Sequence, residues 1–190
     1  MNIALPARLN FDEFLAWAAL QEEGTYELID GVVVMQQSQQ WSHAKVKLEI
    51  ALALRQAIEK ARLPFYVAPD GPTIRISKRK GFVPDALVAA LPEPAPDSLV
   101  ITNPVIVVEV LSPSTAKVDA TTKLAGYFEV PSIQHYLVVD AEGRTITHHK
   151  RSAGDVLETR IVGAGTLRLE PPGIELDLAR VFPTSAAGNA

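Results

Sequence analysis

Two acidic side chains interrupt apolar runs that otherwise have the character of buried β-strands. Glu109 lies within Val105-Ile106-Val107-Val108-Glu109-Val110-Leu111, and Asp85 within Phe82-Val83-Pro84-Asp85-Ala86-Leu87-Val88. An ionised, unpaired carboxylate in a core costs several kcal/mol, a large part of the roughly 5–15 kcal/mol that holds a domain together. Each acid must therefore be protonated, paired, placed at the solvent end of its strand, or bound to a cation. Two such residues in two separate strands suggest one shared metal ion, and their hard oxygen donors select magnesium or manganese over zinc. The competing explanation makes either carboxylate a structural partner of an arginine, or sets it just past a strand end. Pro84 has no N–H to give a sheet ladder, so it implies an edge or a bulge beside Asp85.

A third element bears on the same chemistry. Asp119, Lys123 and Tyr127 are spaced i, i+4, i+8 and share one stripe of a helix. Taken alone they describe an Asp–Lys surface pair with an amphipathic tyrosine. Other signals are weaker. His148 and His149 are neighbours on an expected strand and point to opposite faces, a poor geometry for chelation. Ser112 and Ser114 lack a strand–turn–helix nucleophile motif, and the Gly163-Ala164-Gly165 turn has no phosphate-loop lysine after it. Trp17 and Trp41 are expected to be packing residues.

The elements that must position these groups follow from periodicity. Asn10 and Glu13 have the spacing of a capping box, opening a short helix to about Leu20. Two apolar runs, Tyr26–Ile29 and Val32–Met35, flank Asp30-Gly31, a strong hairpin signal. From Ser42, a plausible N-cap, to Arg62 there is neither Gly nor Pro, and Val46, Ile50, Ala53, Leu54, Ala57 and Ile58 recur at helical spacing. Strands are expected at Phe65–Ala68, Thr73–Ile76 and Phe82–Ala90, then a Pro-rich loop from Leu91 to Pro104. Val105–Leu111 has the β-branched character of a central strand. A helix capped by Ser114 or Thr115 should reach about Glu129. Gln134–Asp140, Thr145–Lys150 and Val156–Val162 suggest antiparallel hairpins, and Leu176–Phe182 a last short helix. The fold class is α+β, a mixed sheet with two principal helices, in a single domain spanning residues 1–183. The tail 184–190 is expected to be disordered.

The 190 residues carry 18 basic and 22 acidic groups, 47% hydrophobic residues and no cysteine, which excludes disulfides, thiolate nucleophiles and zinc–thiolate sites. With no apolar run long enough to span a bilayer and no secretory signal pattern, a cytoplasmic location is expected. Residues 41–80 hold 9 Lys or Arg against 3 Asp or Glu, and so the remainder is strongly acidic. A solvated helix followed by the basic turn Lys78-Arg79-Lys80 accounts for this imbalance, and so does a positive face for a polyanion.

Together the segments Tyr26-Glu27-Leu28-Ile29-Asp30-Gly31, His43, Pro84-Asp85, Val108-Glu109-Val110-Leu111-Ser112-Pro113-Ser114-Thr115, the Asp119/Lys123/Tyr127 helix and Tyr136-Leu137-Val138-Val139-Asp140 resemble the Uma-two family. Its members are restriction-type endonucleases of the PD-(D/E)XK nuclease superfamily. The resemblance implies a restriction-endonuclease-like core with Asp85 and Glu109 on adjacent strands and a long helix alongside. The superfamily's lysine two positions after the acid is replaced here by Leu111, and the resemblance offers Lys123 in its place, with Lys117 as competitor. The implied activity is Mg2+- or Mn2+-dependent hydrolysis of DNA phosphodiesters. Asp85, Glu109 and the Val110 carbonyl would hold the ion, Lys123 would assist the attacking water, and Glu27 could complete the acidic cluster. His43, Asp119 and Tyr127 are auxiliary candidates, with His43 expected to cap or pack rather than bind metal. Lys78, Arg79 and Lys80 are candidates for DNA contact, and a homodimer would suit cleavage of two strands. The alternatives are a catalytically inactive nuclease-like fold that binds DNA or a protein, and a hydrolase of RNA or another phosphodiester.

Overall fold

The first helix, α1 (Phe11–Ala18), starts with both halves of the expected capping box: the Asn10 side chain accepts from the Asp12 and Glu13 amides, and Glu13 accepts from the Asn10 amide. The chain is described here by a computed structural model over residues 8–36, 39–111, 119–154 and 156–183. Strands β1 (Tyr26–Ile29) and β2 (Val32–Met35) form the predicted hairpin, with Asp30 and Gly31 at φ 49° and 86°, the positive values a two-residue turn requires. Helix α2 (Trp41–Ala61) is the long helix. It begins one residue before the expected cap: Gln40 is the N-cap, without a side-chain cap bond, and Ser42 lies inside the first turn. It ends at Arg62, in the left-handed region, two residues before Pro64.

The apolar stretch 82–90 is not one strand. β3 (Phe65–Pro69) and β4 (Thr73–Ser77) precede β5 (Lys80–Phe82), and Val83, Pro84 and Asp85 then carry the chain across to β6 (Ala86–Ala90) in a different sheet. The irregularity that Pro84 implies is this crossing between sheets. Within the Pro-rich connector, β7 (Val100–Ile101) pairs with β4. β8 (Pro104–Val110), α3 (Asp119–Glu129) and β9 (His135–Asp140) form a strand–helix–strand unit whose strands are parallel. β10 (Thr145–Arg151) and β11 (Leu157–Val162) add antiparallel strands. The sequence reading missed β12 (Thr166–Leu169) and β13 (Ile174–Asp177), which precede the four-residue α4 (Leu178–Val181).

A six-stranded sheet, in the order β11-β10-β9-β8-β6-β3, faces a five-stranded sheet, β2-β1-β5-β4-β7. Alternation along β8 sets the layers. Ile106, Val108 and Val110 pack with Ile50, Leu54 and Ile58 of α2 and with the β12–β13 hairpin. Val107 points the other way, into a cluster with Leu87, Phe82, Ile74 and Tyr127 that joins the two sheets and α3. α1 covers the outer side of the smaller sheet through Phe11 and Phe14. Each fully buried aliphatic or aromatic side chain contributes about 1.5–3 kcal/mol. Trp17 packs edge-on against Tyr26 as expected, but Trp41 is 81% exposed and is not a packing residue. Among the described residues no helix is long and apolar enough to cross a membrane.

His148 is buried against His135, and the direction of their hydrogen bonds is forced by the ends of the chain. Arg160 Nε can only donate, to His148 Nδ1 at 3.2 Å, and the Pro171 carbonyl can only accept, from His135 Nε2 at 2.7 Å. His148 Nε2 therefore donates to His135 Nδ1 at 2.8 Å, with both rings neutral. Burial pushes His135 down to about 4 and His148 down to about 3. The unfolded chain binds protons from about pH 6.5 downward while the folded one does not. Stability from this pair is thus present above pH 6.5 and is lost as pH falls through 4 to 3. At pH 5.5, 15N NMR should find both rings neutral and protonated at Nε2, and the melting temperature should fall from pH 6.5 to 4.

Candidate active site

Register places the two acids together. Ala86 pairs with Val108, so Asp85, one residue before β6, stands across from Glu109. The Asp85 amide donates to the Val108 carbonyl at 2.9 Å, and the Val110 amide donates to Asp85 Oδ2 at 2.6 Å. The ladder bonding of β8 therefore runs on through the Asp85 side chain. Glu109 itself lies on the α3 side of β8, since its neighbours Val108 and Val110 face α2. Its Oε1 accepts from Lys123 Nζ at 2.9 Å and from the Tyr127 hydroxyl at 2.5 Å.

From the hairpin, Glu27 turns inward and is only 4% exposed. Its Oε1 accepts from the Val83 amide at 2.7 Å and lies 3.2 Å from Lys123 Nζ. Lys123 therefore bridges Glu27 and Glu109, contributed by different sheets. The reach of α3 depends on Gly126, because a Cβ there would lie 2.5 Å from the Phe82 ring, which in turn packs edge-on against Tyr127 at 5.4 Å. The backbone of the Asp119 position belongs to α3, but its side chain, like residues 112–118 with Lys117, lies outside the described residues.

On the other side of the sheet α2 contributes two groups. His43 Nε2 lies 2.5 Å from the Val110 carbonyl oxygen, the atom expected to bind metal, and Nδ1 lies 3.1 Å from Gln39 Oε1. His43 is thus brought to the site instead of serving only as a helix cap. Lys47, one turn on, was missed by the sequence reading. Its Nζ lies 2.7 Å from Asp85 Oδ1, 2.5 Å from Asp70 Oδ2 and 3.1 Å from Gln39 Oε1. The signal was present, since Lys47 falls on the stripe of Ile50, Leu54 and Ile58 as a charge in an apolar face, the same anomaly that marked Glu109. Burial lowers Lys47, but Asp85 and Asp70 outweigh it and hold the ammonium above its ordinary value.

The basic turn stands apart. β5 leads from Lys80 toward Asp85, so Lys78 and Arg79 sit at the end of that segment remote from the acids. Lys80 is 2.9 Å from Glu129 and 3.8 Å from Asp30, and Arg79 donates to the Asp30 carbonyl at 3.2 Å. His149 stacks on Tyr136 and bonds Thr159, away from the acids.

Glu27, Asp85 and Glu109 are compensated by Lys47 and Lys123. Burial pushes the Glu109 carboxyl up to about 8; Lys123 opposes this, while Asp85 and Glu27 add to it. Burial and then Glu109 raise the Tyr127 hydroxyl well above its ordinary range, so it remains a donor. Among the described residues no three or more His, Cys, Asp or Glu side chains are grouped so as to hold one metal ion. Magnesium asks for less: one or two carboxylates, the rest being water and substrate phosphate. Asp85, Glu109 and the Val110 carbonyl offer hard oxygen donors of the kind such a cation takes.

The structure is thus a two-layered α+β sheet core with a long helix, and two acids and a lysine converge at its centre. Residues 11–182 match the Uma2 family, described as "Putative restriction endonuclease", and the chain belongs to that family. It is 27% identical over 177 residues, 92% of each chain, to the uncharacterized protein slr1290 of Synechocystis sp.. It is also 33% identical to sll1609 of the same organism over 72 residues, 37% of this chain and 41% of that one. A crystal structure from Anabaena variabilis, described as "a putative nuclease belonging to DUF820", shares the fold with a TM-score of 0.71 at 17% identity, covering 92% of this chain and 97% of that one.

Two stability measurements check this electrostatic arrangement. Replacing Lys123 by Met strands two buried carboxylates and should cost about 3–5 kcal/mol; adding Glu109→Gln should recover part of that loss in denaturant titrations. The raised Glu109 carboxyl contributes stability that is complete below about pH 4.5 and lost as pH rises through about 8. Glu109→Gln should flatten the fall in melting temperature between about pH 6.5, above which the His135–His148 pair no longer contributes a slope, and about pH 8.

Proposed function

We propose that the protein is a metal-dependent DNA endonuclease that hydrolyses phosphodiester bonds, with Asp85, Glu109 and the Val110 carbonyl as the cation ligands. The observation that carries this reading is convergence: β6, β8 and α3 deliver two carboxylates and an ammonium to one place, with Lys123 Nζ 2.9 Å from Glu109 and Asp85 bonded to the amide next to Glu109. Magnesium or manganese bound there would polarise the scissile phosphate and lower the pKa of a coordinated water.

The chain's own groups do the rest. Lys123, from α3, would take the part of the lysine that the resemblance expects at the Leu111 position, and its charge would offset the negative charge that develops at phosphorus. Tyr127 and Lys123 share one oxygen of Glu109 and fix its rotamer. Glu27 holds Lys123 from the opposite side and, being bonded to the Val83 amide, serves as its anchor. His43 lies against the Val110 carbonyl and steadies that oxygen. Asp119 begins α3, on the helix face of Lys123, and is an auxiliary candidate.

DNA is the substrate class that suits this site. Arg79 and Lys78 lie six and seven residues from Asp85, at most about 20 and 23 Å of extended chain, and would touch the backbone some six or seven nucleotides from the cut. Lys80, already paired with Glu129, contributes less. A homodimer would present two such sites to a duplex, and the cytoplasm is the compartment that offers the substrate. A second reading, a non-catalytic nuclease-like fold that binds DNA or a protein, is favoured by one observation: each metal-binding acid already has its own lysine.

A plasmid-nicking assay separates the two. With Mg2+ or Mn2+, wild type should nick, Asp85→Asn and Glu109→Gln should not, and Lys123→Ala should be slower by about 10²–10³, the usual loss for one electrostatic stabiliser. Metal-independent DNA binding, unchanged in Asp85→Asn and without turnover in any protein, would establish the binding module instead.

A further inference from the structure

The proposed hydrolysis uses Lys123 and gives Lys47 no part, yet Lys47 is a charged side chain held in the interior. It is a lysine 7% exposed on the core-facing stripe of a helix, where an apolar side chain would pack at no electrostatic expense. All three of its protons have acceptors: Asp85 Oδ1, Asp70 Oδ2 and Gln39 Oε1. Two of these are carboxylates of different character. Asp85 is buried and is a proposed metal ligand, whereas the Asp70 side chain, in the turn between β3 and β4, is 51% exposed.

We propose that Lys47 is a displaceable internal counter-ion: it neutralises Asp85 in the metal-free protein and is handed to Asp70 when a divalent cation binds. This rests on the reading of Asp85 and Glu109 as a cation centre. Asp85 Oδ2 is engaged by the Val110 amide, so Oδ1 is the oxygen that Lys47 and an incoming ion must share. A dication on that oxygen repels the ammonium through a poorly screened interior. Lys47 has somewhere to go without leaving its seat, because it already touches Asp70 and Gln39. It gives up one contact and keeps two. Asp70 is the appropriate receiver, since its half-exposed side chain lies outside the buried acid cluster and already touches the ammonium. The arrangement folds without metal and yet leaves the site open to it. Lys47 is thus a positioning residue that sets metal affinity, and Asp70, outside the coordination sphere, acts through it.

Calorimetric titration of the full chain with Mn2+, at fixed pH and ionic strength, tests this. Lys47→Met removes the competitor and should bind Mn2+ more tightly, while Asp70→Asn removes the receiver and should bind more weakly. Each change should be about five- to a hundred-fold, the usual range for coupled binding events. General damage to the site would weaken both variants, so the opposite signs are the diagnostic result. Wild-type affinity in both variants, or weaker binding by a folded Lys47→Met, overturns the proposal. Should Lys47→Met fail to fold, Asp70→Asn decides alone, and affinity equal to or tighter than wild type overturns it. A wild type that binds no Mn2+ would instead refute the cation centre itself, and the counter-ion role with it.

Discussion

Three acidic side chains, Glu27, Asp85 and Glu109, are drawn into the interior where two sheets meet, and two lysines are drawn in with them. Lys123 reaches down from α3 to bridge Glu27 and Glu109, and Lys47 reaches up from α2 to Asp85. Each ammonium belongs to an element whose apolar face is otherwise occupied with packing. The charge cluster is therefore built into the hydrophobic layers and cannot be moved independently of them. Backbone amides finish the compensation, Val83 for Glu27 and Val110 for Asp85.

Much of this was legible in the sequence. Glu109 and Asp85 stood out because a charge within an apolar run demands an explanation, and the structure answers with pairing for both and a strand-end position for Asp85. The i, i+4 relation of Lys123 and Tyr127 put them on one stripe, which taken alone described a surface pair and an amphipathic tyrosine; the structure brings both to Glu109. The capping box, the Asp-Gly hairpin and the long helix followed from local rules that tertiary context does not override. Lys47 escaped notice because a lysine within a helix is usually a solvated face, and its anomaly appears only when its phase is compared with Ile50 and Leu54.

Other features could not be read so directly. That 82–90 divides between two sheets depends on where each half finds its partner strands, and Pro84 marked the break without saying that the chain changes layer. The β12–β13 hairpin carries a plain alternation, Leu167 and Leu169 buried around Arg168, but its segments are only four residues long. The basic turn had a composition that spoke for a polyanion, yet composition does not reveal that Asp30 and Glu129 lie beside it. The family resemblance gave the overall arrangement, and the partners of each acid came from the geometry alone.

The bond from the Val110 amide to Asp85 makes the spacing of the two acids a property of the backbone. Rotamer changes nearby leave it intact, whereas a single residue inserted into β6 or β8 would turn one acid toward the opposite face of the sheet. Changes in chain length among descendants of this protein must then be absorbed elsewhere. The stretch 91–99, between β6 and the short β7, lies outside the paired strands and can grow or shrink without disturbing the chemistry.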